Sequence, residues 1–159
     1  MKLLLSFLLI FSVCTASASK ILQGKVVSVA DGDTITVLDA EKTQHKIRLQ
    51  GIDAPEKAQA FGAKSKQALY EMVHGKTVQV SFEKSDKYGR ILGKVLLDGQ
   101  DICLQQIKAG LAWHYKKYQN QQPLADRDAY SASETAAKNE KLGLWSDPRP
   151  VAPWDFRKR

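Results

Sequence analysis

Between Gln23 and Gln50 the apolar residues recur at every second position in three consecutive runs, and turn-forming residues fill each pause between them. Gln23 to Val29 is the first run, Ala30-Asp31-Gly32-Asp33 turns the chain, and the β-branched Thr34-Ile35-Thr36-Val37 is the second. Asp39 to Lys42 turns again into Thr43 to Gln50, so the chain is committed to three antiparallel strands in a meander. In the third strand His45, Ile47 and Leu49 share one face, while Lys46, Arg48 and Gln50 share the other. Gly51 then lets the backbone bend and Pro55 stiffens the exit, so Asp53 and Glu56 emerge at a strand-to-loop corner. The acidic hairpin tip, Asp31 and Asp33, is expected to meet that corner at one end of the sheet.

From about Phe61 the period lengthens. Phe61, Ser65, Ala68, Leu69, Met72 and Val73 recur at helical spacing, and Gly75 follows as a stop. Thr77 to Phe82 returns to alternation, and a polar turn, Glu83 to Arg90, leads into a fifth strand, Ile91 to Leu97. Asp101 is placed to cap a short helix, Ile102 to Ala109, which Gly110 ends. After the aromatic and basic stretch Leu111 to Tyr118, Pro123 opens a third helix, whose Ala125, Ala129, Ala132 and Ala136 form a stripe expected to pack against its neighbours. The tail, Leu144 to Arg159, is expected to be extended and pinned by Trp145 and Trp154, and it offers no site residue. Five short strands with one helix after the third and two at the end give an α+β, mainly β domain built on a five-stranded OB-type barrel, a class that often presents a face to oligonucleotides.

The 159 residues suit one domain with a real core. Residues 1–18 have the pattern of a cleaved secretory signal: Lys2, then an apolar run to Val13, then Ala16-Ser17-Ala18. That run is short of the roughly 20 residues a membrane span needs, so secretion or periplasmic residence is expected, with no stable membrane association after cleavage. The domain then covers 19–145 and the tail 146–159. Cys14 leaves with the signal, so Cys103, set among Ile102, Leu104 and Ile107, is expected to be a buried structural thiol. There are 24 basic against 17 acidic residues, a net charge of +7 of which the leader holds only Lys2. Such an excess favours a polyanionic partner, nucleic acid first and an anionic surface second. His45, His74 and His114 are too scattered for a zinc site and are read as surface or packing histidines.

Three segments in series, Asp31-Gly32-Asp33-Thr34, Arg48 to Glu56 and Asp86-Lys87-Tyr88-Gly89-Arg90, resemble the staphylococcal nuclease family in order and spacing, over about Lys25 to Tyr118. The resemblance implies an OB-fold barrel with three helices and a calcium-dependent hydrolysis of DNA and RNA phosphodiesters that leaves 3′-phosphate ends. Carried over by position, it implies Asp33, Asp53 and the Ala54 carbonyl as Ca2+ ligands, Glu56 as general base, and Arg48 and Arg90 as the arginines that bind phosphate. It implies an aromatic packing on base or sugar after Gly110, with Tyr118 ahead of Tyr115. A monomer acting on single-stranded nucleic acid is the expected form.

These residue types suit that chemistry. An anionic phosphodiester must be neutralised before a nucleophile approaches, a hard cation takes oxygen ligands, and an arginine fork matches phosphate oxygens. Lys87 and Tyr88 are placed to reach a terminal phosphate and the sugar, although Asp-Lys-Tyr-Gly is also an ordinary turn. Taken alone, Arg48 is better explained by a surface salt bridge to Asp53 or Glu56; beside Asp33 and Arg90 the phosphate role is favoured. Two other readings stand beside catalysis: a non-catalytic OB-fold module that binds nucleic acid, and a structural or adhesion protein. Carboxylates beside a phosphate repel it unless a cation intervenes, which disfavours mere binding.

Overall fold

A computed structural model describes residues 19–159; the expected signal segment, 1–18, lies outside the described residues. The meander forms as β1 (Lys20–Val29), β2 (Thr34–Leu38) and β3 (Gln44–Leu49), followed by the two-residue β4 (Ile52–Asp53) and α1 (Gly62–Val73). Next come β5 (Thr77–Ser85), β6 (Ile91–Leu97), β7 (Gln100–Asp101), α2 (Ile102–Lys108), β8 (Trp113–His114), α3 (Leu124–Asn139) and a single turn, α4 (Pro153–Phe156). Hydrogen bonding runs β3-β2-β1-β5-β6, and a parallel pairing of β3 with β6 closes the ring into the expected five-stranded OB-type barrel. Closure leaves no free barrel edge. It also sets Arg48 opposite Leu92, so the outlet of β3 and the entry to β6 lie side by side.

The alternation read in the sequence is the alternation of burial. Val26, Ile35, Val37, Ile47, Val80 and Val95 are wholly buried inside the barrel, and Leu69 and Val73 of α1 with Ile107 of α2 close over it. Each such side chain contributes about 1.5–3 kcal/mol relative to an exposed one, which makes the strands a stiff frame for whatever their ends carry. Cys103 is fully buried, and burial first of all pushes its thiol up to about 12, as befits a structural residue. Among the described residues no helix is long and apolar enough to cross a membrane.

Two expectations need correction. Ala125, Ala129, Ala132 and Ala136 face solvent, and α3 buries Tyr130, Glu134 and Ala137 instead. The buried face carries a carboxylate because Glu134 accepts from the His114 main-chain N–H at 3.1 Å, from Lys116 at 2.6 Å and from Lys138 at 2.9 Å. The tail, in turn, is not simply extended. Pro153 starts the α4 turn, and Trp154 packs edge-on to Trp113 and stacks on Tyr115, with centroids 5.5 and 5.4 Å apart.

Burial pushes the Glu134 carboxyl up, but the bonds from Lys116 and Lys138 outweigh it and hold it below its ordinary value. Glu134→Ala is expected to destabilise the fold by about 1–3 kcal/mol, mostly by leaving the His114 N–H without an acceptor. The two lysines are about half exposed and rehydrate readily. Because the folded carboxyl is the stronger acid, its contribution is present above the ordinary carboxyl pKa and is lost as pH falls through the folded value. Urea unfolding of both chains at neutral and acid pH should therefore show a gap that narrows in acid.

Candidate active site

The hairpin tip is built to hold one carboxylate still. The Asp33 amide donates to Asp31 Oδ1 at 3.0 Å, and Asp33 Oδ1 accepts from the Thr34 hydroxyl at 3.1 Å. Asp33 Oδ2 accepts from the Ala54 amide at 2.7 Å, which ties the tip directly to the acidic corner. Gly32 makes the approach possible: a Cβ there would fall 1.9 Å from Ser65 Oγ on α1. The buried Gln106 of α2 donates to the Gly32 carbonyl at 2.7 Å and clamps the turn from behind. Its side-chain oxygen has no hydrogen-bond partner among the described residues.

The corner is built from β3 and β4. Gly51 takes φ +77°, a left-handed value that favours glycine, and β4 then pairs with β8 through Ile52 opposite His114 and Asp53 opposite Trp113. This short ribbon buries Asp53 and fastens the aromatic segment beside it. Arg48 lies between the two acids. Its Nη2 reaches Asp53 Oδ1 at 2.9 Å and Asp33 Oδ2 at 3.0 Å, and its Nη1 donates to the carbonyls of Leu49 and Ile52 at 2.9 Å each. The salt bridge to Asp53 weighed from the sequence is thus present, though largely buried rather than on the surface.

Burial, more than any other influence, pushes the Asp33 carboxyl up to about 7, with Asp31 and Asp53 adding to the rise and Arg48 and the Ala54 amide opposing it. Two carboxylates held together out of water call for positive charge.

Across the cleft, the turn before β6 wraps around Asp86. Its Oδ1 accepts from the amides of Tyr88 at 2.9 Å and Arg90 at 3.0 Å, and its Oδ2 takes both Nε and Nη2 of Arg90 at 2.7 Å. Burial raises the Asp86 carboxyl, but the Arg90 amide and guanidinium together with the Tyr88 amide hold it below the usual range. Tyr88 is largely exposed, with its ring between Lys87 at 5.0 Å and Arg90 at 5.6 Å.

Arg48, Glu56, Arg90, Asp33, Asp53, Ala54, Lys87, Tyr88 and Tyr118 all line one cleft of about 720 Å³. The structure therefore brings together every residue singled out in the sequence. Trp113 is packed between Trp145 and Trp154, away from the cleft, and the three histidines are engaged elsewhere: His45 with Asp39, His74 stacked on Tyr70, His114 buried against Gln122.

The residue that the sequence did not offer is Arg157. It enters the cleft from the tail, its Nη1 2.6 Å from Glu56 Oε1 and its Nη2 2.8 Å from Asp53 Oδ2. Its only advance signal is Trp154, which marks a docked tail without saying where the tail lands.

The donor set suits a hard divalent cation. Asp33 and Asp53 bring their oxygens to within 3.0 Å of one guanidinium nitrogen, and the Ala54 main chain lies at the same spot. Among the described residues no three His, Cys, Asp or Glu side chains converge as a ready metal cluster, so main-chain carbonyl and water would complete the shell.

Comparison with known proteins adds a family to this geometry. The family model "Staphylococcal nuclease homologue" matches residues 46–147. An uncharacterized endonuclease of Haemophilus influenzae is 40% identical over 157 residues, covering 99% of this chain and 85% of its own length. An uncharacterized endonuclease of Escherichia coli is 44% identical over 139 residues, 87% of this chain and 86% of its own. A micrococcal nuclease of Shigella flexneri is 38% identical over 145 residues, 86% and 80% respectively.

Proposed function

Because this chain belongs to the staphylococcal nuclease family, and so is a hydrolase of nuclease type, we propose that it cleaves phosphodiester bonds of both DNA and RNA with the help of Ca2+ and leaves 3′-phosphate ends. The observation that carries this reading is the convergence of Asp33, Asp53 and Glu56 with Arg48 and Arg90 on one cleft. Binding alone has no use for three carboxylates there.

In this reading Asp33, Asp53 and the Ala54 carbonyl hold the cation, which when bound supplies positive charge against the phosphate. Glu56, the most accessible of the three acids at 38% exposed, takes the proton of the attacking water. Arg90 and Arg48 meet the phosphate oxygens and the charge that accumulates on them in the transition state. Lys87 and Tyr88 on the β6 turn and Tyr118 on the opposite rim hold the flanking nucleotides of a single strand, the aromatic rings by stacking. The protein works as a monomer in the periplasm or outside the cell, a placement that rests on the composition of residues 1–18.

The test is degradation of single-stranded DNA and RNA by the purified chain with Ca2+, with Mg2+ and with a chelator. Cleavage is expected with Ca2+, with 3′-phosphate ends, and is expected to vanish on chelation and return when Ca2+ is restored. Cleavage that persists in chelator overturns the metal role. Salt-sensitive binding with no cleavage under any metal replaces the nuclease with a binding module.

A further inference from the structure

Asp53 is 1% exposed, whereas the Arg157 that covers it is 43% exposed. The arginine therefore stands on the solvent side of the carboxylate. Asp53 Oδ1 already accepts from Arg48 at 2.9 Å, and Arg157 Nη1 shares that oxygen at 3.2 Å. Among the described residues its Oδ2 is met by Arg157 alone, at 2.8 Å, and the same guanidinium reaches Glu56 Oε1 at 2.6 Å. One side chain from the tail thus holds the outer oxygen of a proposed metal ligand and an oxygen of the proposed base.

The tail is anchored independently of that contact. Gln59, whose side-chain oxygen accepts from the Glu56 amide at 3.1 Å, donates to the Val151 carbonyl at 2.5 Å. Ala152 and Pro153 are buried, and Trp154 lies on Tyr115 and Trp113. Arg157 follows one turn later, its amide bonded to the Pro153 carbonyl at 3.0 Å. The anchor keeps the guanidinium close to the cleft, while the long side chain is free to swing without undocking the tryptophan.

A guanidinium lying across the solvent side of Asp53 Oδ2 and Glu56 Oε1 takes the space through which a divalent cation would reach them, and the two positive charges repel each other. We infer that Arg157 is a tethered countercation that competes with the divalent metal for Asp53 and Glu56, so that metal binding drives its guanidinium off both carboxylates and frees Glu56 for its task. The inference rests on the metal reading above. By linkage the competition acts in both directions: whatever Arg157 costs the metal, the metal costs the Arg157 contact. Without metal the arginine keeps the carboxylates neutralised and the base occupied, so the chain carries its own off state.

Calorimetric titration of Ca2+ into the substrate-free wild-type chain and into Arg157→Gln tests this. Glutamine keeps length and polarity but no charge, and the variant is expected to bind Ca2+ about tenfold more tightly, within the roughly 5–150-fold range usual for coupled sites. A second measurement needs no variant: modification of Arg157 in the wild-type chain by phenylglyoxal, followed by peptide mass spectrometry, should speed up when Ca2+ is added. Equal or weaker Ca2+ affinity in Arg157→Gln, or an unchanged modification rate in a wild-type chain that binds Ca2+, overturns the competition and leaves the metal reading standing. If neither chain binds Ca2+, Mg2+ or Mn2+, the metal reading falls and the competition falls with it.

Discussion

Glu56→Ala is expected to lower kcat by about 10²–10⁴-fold, the usual worth of a positioned general base, while nucleotide binding measured in the presence of Ca2+ stays close to that of the wild-type chain. The separation follows from where Glu56 sits. Its main chain is fixed: its amide donates to Gln59 Oε1, and its carbonyl accepts from the Gln59 amide at 2.8 Å. Its carboxylate, by contrast, lines the cleft and among the described residues pairs only with Arg157. Removing it should leave the corner folded and the arginines in place, so what is lost is proton transfer. An equal loss of binding and turnover would show that Glu56 organises the cleft instead, through Arg157. Pairing the variant with Arg157→Gln separates these routes, because a base that is missing cannot be restored by removing the cation that masks it.

The barrel was legible in the sequence because its strands mostly alternate and are separated by turn residues, so burial follows the pattern through Ile35, Val37, Ile47 and Leu49, while register shifts between Val26 and Ser28 and between Phe82 and Lys84 break it locally. The acidic tip and corner were legible for a related reason. They lie at the ends of neighbouring strands, and strand register alone puts Thr34 opposite Arg48. Both failures came from contacts that no local pattern encodes. In α3, alanine and Tyr130 at helical spacing offered two adjacent faces, and the one that won contains Glu134, whose cation Lys116 lies 18 residues upstream on another element. A carboxylate on a helix reads as solvent-facing until its partners are known. Arg157 lies 101 residues from Glu56, and a basic chain end after a tryptophan looks the same whether it lies on the surface or in a cleft. The position of Arg48 shows a subtler limit. The sequence offered a salt bridge or a phosphate ligand as alternatives, whereas three hydrogen bonds and a further ion pair in the structure place it within the acidic cluster, where serving phosphate means giving up at least one carboxylate or carbonyl partner.

That crowding makes Arg90 the freer of the two arginines. Its Nε and Nη2 both lean on Asp86 Oδ2, and among the described residues its Nη1 has no protein partner. Asp86 thus acts as a handle: it fixes the plane of the guanidinium through one edge and leaves the other edge for phosphate. Arg90→Lys is expected to lower kcat by about 10²–10³-fold, the cost of losing one preorganised donor to developing oxyanion charge. A lysine carries the same charge on one nitrogen, and that nitrogen cannot hold Asp86 and present a second edge at once. It will be drawn to Asp86, because that carboxylate is more than half-buried and already polarised by the Tyr88 and Arg90 amides. The fold should be little affected, since the two amide bonds to Asp86 Oδ1 come from the main chain and survive the substitution. Steady-state kinetics on a short single-stranded substrate would check this, with the unfolding midpoint measured alongside. A fall in kcat at unchanged stability is the expected result. Activity close to that of the wild-type chain would mean that Arg90 serves only to close the turn around Asp86, and the transition-state charge would then fall to Arg48 and to the metal.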